Sequence, residues 1–563
     1  MHPHKIIKVG VSSHPHLQKT ISQELGISEI LAQVLVNRGI KTPGDAQKFL
    51  HPRLADLANP FSFHQMDHAV KIIRNAQERK DKVLVFSDYD VDGLTALALL
   101  KGALGKKGIK AEHYLPHRIK EGYGLTKEIA HFAKEKGIKL LITCDCGTNS
   151  LSQIKELRSL GIEVIITDHH ESSTHELSSA SSIINPKVKD SGYPYRDLAG
   201  VGVAYKLAQA LGERKPEEDL DLAALGTIAD VVPLVGENRI IAKFGLESLS
   251  RTRRPGLEAL IKASRLKTKK INSTFVSFIL GPRINSSGRM DTAETSLLLL
   301  LSNDPKEADE LAGIIEGHNR QRQKVEAKIL MEALSLIEQE VDFKKQKVIV
   351  LAGEDWHQGV LGIVASKLAD RFYRPTILIS KTDGLCKGSG RSIKNFHLFQ
   401  ALLECEGLLH NFGGHAHAVG LTVSRQNIGL LRDRINILAD EKLVLEDLLP
   451  ALEVDMELSL SDIGIPLAEE LETLEPFGTA NPEPSFFTRG LKLKGEPQVL
   501  SRDTLKFRVT DGIISYPAIG FGKGILKDSL LAAGSFDLVY TLKIDNWREE
   551  LSVILEVKDI FFR

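Results

Sequence analysis

Residues 84–95 read LVFSDYDVDGLT, an apolar run that ends in aspartates at three alternate positions, Asp88, Asp90 and Asp92. Two carboxylates held ~4 Å apart repel by about 4 kcal/mol at an effective dielectric near 20, and a third adds to this. The cluster therefore needs a positive partner that its own stretch does not supply. Two further apolar runs end in the same way, KLLITCD at Asp145 and EVIITD at Asp168, and the second continues into His169 and His170. Carboxylate with imidazole is a ligand set of manganese, zinc or iron, and an oxygen-rich version with few nitrogens favours manganese or magnesium. Taken singly, each aspartate also reads as a cap on the helix that follows; the set, with TDHH in it, does not. Asp230, after LAALGTIA and before VVPL, reads on its own more readily as an ordinary helix-end residue than as a buried acid facing the cluster.

The elements that must position these residues follow one pattern. KKGIKAEHYLP, KEKGIKLLITCD and SLGIEVIITD each place a glycine that can end a helix directly before a β-rich apolar run, and VLVFSD precedes them. With helical stretches such as GLTALALLKGALGKKG between them, these predict βαβ units around a parallel sheet. Ligands of such sheets bind beyond the carboxyl ends of the strands, so the aspartate endings converge. Residues 303 to about 340 read as a long polar connecting helix. KVIVLAGEDWHQGVLGIVASKLADRFYRPTILIS then reads as strand, loop, helix, strand, the start of a second, smaller α/β domain. That domain holds GSGRS at 388–392 and GGHAHAVG at 413–420. Glycine-rich turns let backbone N–H groups approach phosphate, and Ser389 and Arg391 add donors, although a lone glycine loop is more often a tight turn. From about 450 short β-rich runs suggest a small barrel, in which Phe507 and Trp547 are candidates for base stacking or, more readily, core.

Composition bounds the possibilities. A chain of 563 residues with 42% hydrophobic and 26% charged content is globular and has room for roughly three or four domains. Lys+Arg and Asp+Glu both number 73, so no global basic field marks a nucleic-acid partner, and any polyanion must be met locally. RTRRPGLEALIKASRLKTKK, 251–270, has eight basic residues against one acidic and reads equally as a solvated helix face or a phosphate-tracking patch. The four cysteines lack zinc-ribbon or disulfide spacing, MHPHKIIKVG lacks a signal-peptide apolar core, and the leucine run 297–301 is far short of a membrane span. A cytoplasmic protein with reduced thiols is expected.

Together DYDVDG, CDCG, TDHH and GTIADVVPL resemble the four motifs of the DHH phosphoesterase superfamily, and the resemblance is closest to its RecJ branch of single-strand-specific exonucleases, over nearly the whole chain. It implies an α/β protein with a helical lead-in (1–60), a parallel-sheet DHH catalytic domain (61–302), a connecting helix (303–342), a DHH-associated domain (343–445) and a C-terminal OB-fold barrel (446–563). By the same resemblance Asp90, Asp92, Asp145, His169 and Asp230 bind two divalent cations, manganese foremost and magnesium as the alternative. Asp88 and Asp168 support these ligands, and His170 lies near the reacting phosphate. Paired cations can deprotonate a bridging water and stabilise charge on the phosphoryl and leaving oxygens. Arg118 of PHRIKEGYG and Arg289 of GPRINSSGRMD, with Ser389 and Arg391, would hold a 5′-terminal phosphate, a task suited to the planar guanidinium fork. Gln323 of HNRQRQ, His357 and His415 complete the implied substrate contacts. Ser87 and Val419 stand where the family usually has glycine and alanine, and the second change is expected to narrow the local pocket.

The implied activity is 5′ to 3′ degradation of single-stranded DNA to 5′-mononucleotides, in repair and recombination, by a monomer cooperating with a helicase and a single-strand-binding protein. Two alternatives stay open: another DHH hydrolase acting on short oligonucleotides, cyclic dinucleotides or polyphosphate, and a non-enzymatic DNA-binding scaffold. Relatives of the first kind generally lack the C-terminal barrel, and every ligand position is filled, which counts against the second.

Overall fold

Five consecutive residues without a charge, Val83–Ser87, are all buried and form β1, the strand that delivers the first aspartates. In the computed structural model, which describes residues 5–10, 14–172, 179–212, 217–265, 270–545 and 551–563, β1 is joined by β2 (Ala111–Tyr114), β3 (Leu140–Cys144), β4 (Glu163–Thr167) and β5 (Ser182–Ile184). The order is β2-β1-β3-β4-β5 and every pairing is parallel. Three of these strands are the runs expected from the glycine-stop pattern, and β1 is the VLVFSD run before them. The three-residue β5, at the sheet edge, lacks that pattern and was not anticipated.

Helix α1 (Val91–Lys106) carries leucine and alanine all round and is buried over most of its length, because it lies between the sheet and two further helices, α2 (Gly200–Ala210) and α3 (Leu220–Ala229). Helix α4 (Gly281–Met290) brings up the second arginine motif. The 36-residue α5 (Pro305–Glu340) is polar but not merely solvated: Ala308, Ala312 and Ile315 enter the core of the first domain, whereas Ile329, Ala333 and Ile337 enter that of the second. It is a rigid strut shared by both halves.

The second domain is a mixed sheet of β6 (Ile349–Glu354), β7 (Thr376–Lys381), β8 (Leu385–Arg391), β9 (Leu409–His415) and β10 (Ala418–Ser424), in the order β9-β10-β8-β7-β6. Only β6 and β7 pair in parallel, and α6 (Gln358–Phe372) connects them. Seven strands between Met456 and Phe562 form the C-terminal sheet, in which Phe486–Leu493 pairs with both Phe536–Asp545 and Thr504–Thr510. Phe507 is core, set edge-on against Phe536, and Trp547 lies outside the described residues.

The N-terminal helices Pro15–Leu25, Glu29–Asn37 and Pro43–Leu50 do not pack on the parallel sheet. Ile21, Leu31, Leu35 and Phe49 share one apolar core with Leu471, Phe486 and Tyr540 of the C-terminal region. Arg38 pairs with Asp455 at 2.8 Å, and Ile6–Val9 pairs in parallel with Ala451–Val454. The two ends of the chain are locked to the parallel-sheet half by Arg239, 1% exposed, whose guanidinium donates to the carbonyls of Phe49, Thr473, Leu474 and Glu475. Deleting residues 451–563 should therefore strip amide hydrogen-exchange protection from residues 21–50 while that of β1 and β3 persists. Unchanged protection over 21–50 would mean that the N-terminal helices are stable without their C-terminal partner.

Candidate active site

The strand ends converge as the parallel topology requires. After β1 the chain turns sharply: the Ser87 hydroxyl donates to the Gly93 carbonyl at 2.6 Å, and a Cβ on Gly93 would stand 2.5 Å from the Asp88 carbonyl. Ser87 thus closes the turn with its own hydroxyl. Asp90 caps α1, accepting from the N–H groups of Asp92 and Gly93 at 3.0 and 3.2 Å. Asp92, in the first turn of α1, accepts in turn from the N–H groups of Gly200 and Val201 at 2.6 and 2.8 Å, at the N-terminus of α2. Asp145 follows β3 with φ +60°, and a Cβ on Gly200 would lie 2.7 Å from its Oδ1. Only glycine lets α2 approach so closely.

His169 is the hub. Its Nε2 lies 3.1 Å from Asp145 Oδ1, 3.6 Å from Asp230 Oδ2 and 3.8 Å from Asp92 Oδ2. Asp230 is at once the C-cap of α3 and a member of the cluster, so both readings of it hold. Asp168 accepts from the Thr148, His169 and His170 N–H groups and binds His170 Nδ1 at 2.8 Å. Across the cleft the His415 ring faces that of His170, with centroids 6.5 Å apart and planes 17° off parallel.

Burial, and then the charge of neighbouring aspartates, pushes Asp88, Asp145 and Asp230 well above the ordinary carboxylate range. The same causes take Asp92 up to about 7, against the two N–H bonds from α2. Burial also drives His169 down to about 3, helped by the charge of His170. Burial opposes ionisation of Asp168 and His170 too, but their mutual hydrogen bond and charge hold Asp168 below and His170 above their ordinary values.

The donors suit divalent cations. Asp88 Oδ1, Asp145 Oδ1 and His169 Nε2 are buried without a hydrogen-bond partner. Asp88, Asp90 and Asp145 offer oxygens within 4.8 Å of one another, as do the donors of Asp92, His169 and Asp230 and those of Asp145, His169 and His170. Two mainly oxygen groups, bridged by a third that takes Asp145 from one and His169 from the other, suit manganese or magnesium. In this geometry Asp88 is as well placed as Asp90 to be a ligand.

Beside the acids lies a group of arginines. The Arg118 guanidinium lies 4.8 Å from the Tyr89 ring centroid, and Arg289 Nη1 donates to the Gly359 carbonyl at 3.0 Å. Arg391 Nη1 donates to the Gly390 carbonyl at 2.8 Å and approaches Ser389 Oγ at 3.4 Å. Gly362 on α6 leaves room for both, since a Cβ there would stand 3.0 Å from each. Burial, then the charges of Arg118, Arg391 and Arg322, pushes Arg289 down to about 9. His357 stands at the N-cap position of α6 without a side-chain bond to the helix, and burial lowers its pKa.

Some expectations need revision. Gln323 is exposed on α5, as a substrate contact must be, and the charge of its neighbour Arg322 reaches Arg289 as well. Val419 does not narrow a pocket: at 3% exposure it sits in the apolar core of the second domain, because its side chain alternates away from the cleft. In the 251–270 stretch Arg254 binds Asp219 and Asp221, Lys262 binds Asp309 and Lys270 binds Glu475, while Lys267 and Lys269 lie outside the described residues. Tyr123, whose hydroxyl sits 2.9 Å from His170 Nδ1 and donates to the Asp145 carbonyl, was missed. Its setting between Gly122 and Gly124, both at φ +86°, was the available signal.

Comparison with known proteins fits this geometry. The DHH family N-terminal domain matches residues 82–227, the DHHA1 domain 345–440 and the RecJ OB domain 454–559. The single-stranded-DNA-specific exonuclease RecJ of Bacillus subtilis is 40% identical over 545 residues, covering 96% of this chain and 69% of that one. The chain belongs to the RecJ family. The Escherichia coli RecJ is 35% identical over 483 residues, covering 81% of this chain and 82% of that protein. The crystal structure of Thermus thermophilus RecJ in complex with Mn2+ superposes with a TM-score of 0.84 at 28% identity, over 99% of this chain and 79% of that one. A second RecJ structure bound to manganese is 34% identical, with a TM-score of 0.60, over 68% of this chain and 98% of that one.

The raised carboxylates make metal dependence measurable without turnover. Asp88, Asp92, Asp145 and Asp230 hold their protons more tightly folded than unfolded. The metal-free protein should therefore lose stability as pH rises from their ordinary value of 3.8 through the folded ones, about 7 for Asp92. His169 works in the opposite sense only below its ordinary 6.5, and the raised His170 acts with the acids above it. Thermal melting in chelator should show Tm falling between pH 6.5 and about 8, and manganese should remove most of that fall. Equal slopes with and without manganese would separate the acids from any metal.

Proposed function

We propose that the chain is a metal-dependent exonuclease that degrades single-stranded DNA from its 5′ end, releasing 5′-mononucleotides. The observation that carries this reading is the half-buried arginine group beside the acid and histidine cluster. Mutually repelling guanidinium groups, with Arg289 already lowered to about 9, favour an anion between them. A terminal phosphate held there by Arg118, Arg289, Ser389 and Arg391 leaves the next phosphodiester over the acids. Direction follows from that one anchor.

Asp90, Asp92, Asp145, His169 and Asp230, with Asp88 beside them, would hold two divalent cations, manganese or magnesium. When bound, these supply an activated water and charge neutralisation for phosphodiester hydrolysis. The chain's own groups orient the substrate: Asp168 fixes the His170 ring toward the cleft, and His415 meets it from the second domain. We assign catalysis to residues 61–302, with 303–342 as the strut, 343–445 as the clamp on the phosphate and 446–563 as the guide for the strand. Repair and recombination are the implied processes, in the cytoplasm, where the four buried free thiols stay reduced. The enzyme would work as a monomer beside a helicase and a single-strand-binding protein. No helix among the described residues is long and apolar enough to cross a membrane.

Incubation with 5′-labelled single-stranded and duplex oligonucleotides, with manganese, magnesium or chelator, tests the class. Labelled mononucleotide from the single strand alone, and only with metal, is the expected product; binding without cleavage would instead favour a scaffold. Asp145→Ala should reduce cleavage by at least about a thousandfold while the fold persists, since it belongs to more than one donor group. Turnover near the wild-type rate would remove Asp145 from the metal site. Arg391→Ala should flatten the preference for a 5′-phosphate over a 5′-hydroxyl end. The rate ratio on the two ends reports this, and an unaltered ratio would move the anchor elsewhere.

A further inference from the structure

The unanticipated edge strand β5 ends at the same rim of the sheet as the aspartate-bearing strands. The Asp168 N–H donates to its last carbonyl, that of Ile184, at 3.1 Å. Asn185 follows and is fully buried. Its Nδ2 donates to the His170 carbonyl and to Thr148 Oγ1, both at 2.9 Å, and its Oδ1 accepts from the Lys187 N–H at 2.9 Å. One buried amide thus ties the backbone of Lys187 to that of His170. Lys187 is half-buried, and no carboxylate among the described residues pairs with it. A lysine whose backbone is fixed at the rim of an acid cluster, with no carboxylate partner among the described residues, has its ammonium available to a phosphate.

Its flank is also distinct from that of the arginines. The charge of Lys187 reaches His169, Asp230 and His415, each from a different element. Arg118 acts on Asp88 and Tyr89. Lys187 thus acts on the His169, Asp230 and His415 side of the acids and Arg118 on the Asp88 side. If the terminal phosphate occupies the arginines and the reacting phosphate lies over the acids, the next phosphate falls on the flank of Lys187.

We propose that Lys187 is a substrate-binding residue that holds the phosphate immediately 3′ of the bond being cleaved, so that the strand is gripped on both sides of the reaction. This rests on the exonuclease reading above. It explains why Asn185 is buried and fully bonded at an otherwise short edge strand: the amide sets the lysine in register with His170.

The test pairs Lys187→Ala with oligonucleotides carrying a single neutral methylphosphonate. In wild type, neutralising the linkage 3′ of the first scissile bond should lower kcat/KM about tenfold, the scale of one charge-assisted hydrogen bond. Lys187→Ala should lose the same factor on ordinary DNA and nothing more on the modified strand, while a methylphosphonate several linkages away costs both proteins equally. The log–log salt slope for binding should become shallower by about 0.7, one phosphate's share for a single strand. The preference for a 5′-phosphate and the manganese midpoint should stay unchanged, and Lys187→Arg should keep most of the activity, which guards against a folding defect. Losses that multiply between the variant and the neutral linkage would overturn the proposal, as would a variant that instead alters the 5′-phosphate preference. Wild-type protein that spares single-stranded DNA altogether would overturn the exonuclease reading, a result distinct from either.

Discussion

Concentrating negative charge around one imidazole is the constraint on which the rest of this structure depends. Asp88, Asp92, Asp145 and Asp230 are buried where like charges raise one another's pKa, and His169 is too buried to answer as a cation. The fold holds them together by removing side chains from the helices that press on them. A Cβ on Gly200 would strike Asp145, and one on Gly226 would come within 3.0 Å of Asp92 Oδ1. The helix α1 that carries Asp92 is apolar all round because it is enclosed on both sides, and that enclosure deprives the acids of water. Strain of this kind belongs to a site built to be completed by metal.

The first domain sets Arg118 and Arg289 beside this acidity and the second adds Arg391, so that one cleft offers a polyanion both signs. Arg391 reaches the cleft from β8 and Arg118 from the loop after β2, and α5 fixes their spacing because its two apolar stripes enter both cores. A connector solvated on all faces would leave the distance between Arg391 and the acids to drift. Positioning within a fraction of an ångström is what hydrolysis at one defined linkage demands.

The strand endings and the histidine pair were legible because each lies directly after a run of period or length that only a buried strand explains. What stayed hidden depended on tertiary context. Gly200 reads as an ordinary small residue until Asp145 is seen against it, and Lys187 follows a three-residue strand too short to carry a pattern. Arg322 and Gln323 are adjacent on one helix, and about 100° of rotation decides which of them turns to Arg289. The pocket role expected for Val419 failed for the same reason in a strand, where neighbouring side chains take opposite faces.

The ends of the chain show how far sequence order can mislead about packing. A helical segment that precedes a sheet suggests a lead-in, yet Ile21, Leu31 and Leu35 are buried against strands more than four hundred residues later, and Arg239 binds carbonyls from both ends at once. The buried guanidinium gives up most of its hydration, and four fixed carbonyl dipoles replace it, so removing any one partner leaves polar groups stranded without water. The C-terminal sheet is for that reason coupled to the parallel-sheet half directly as well as through the N-terminal helices, rather than hung on a flexible tether. On the proposed path over that sheet, a strand would therefore meet the acids from a fixed direction.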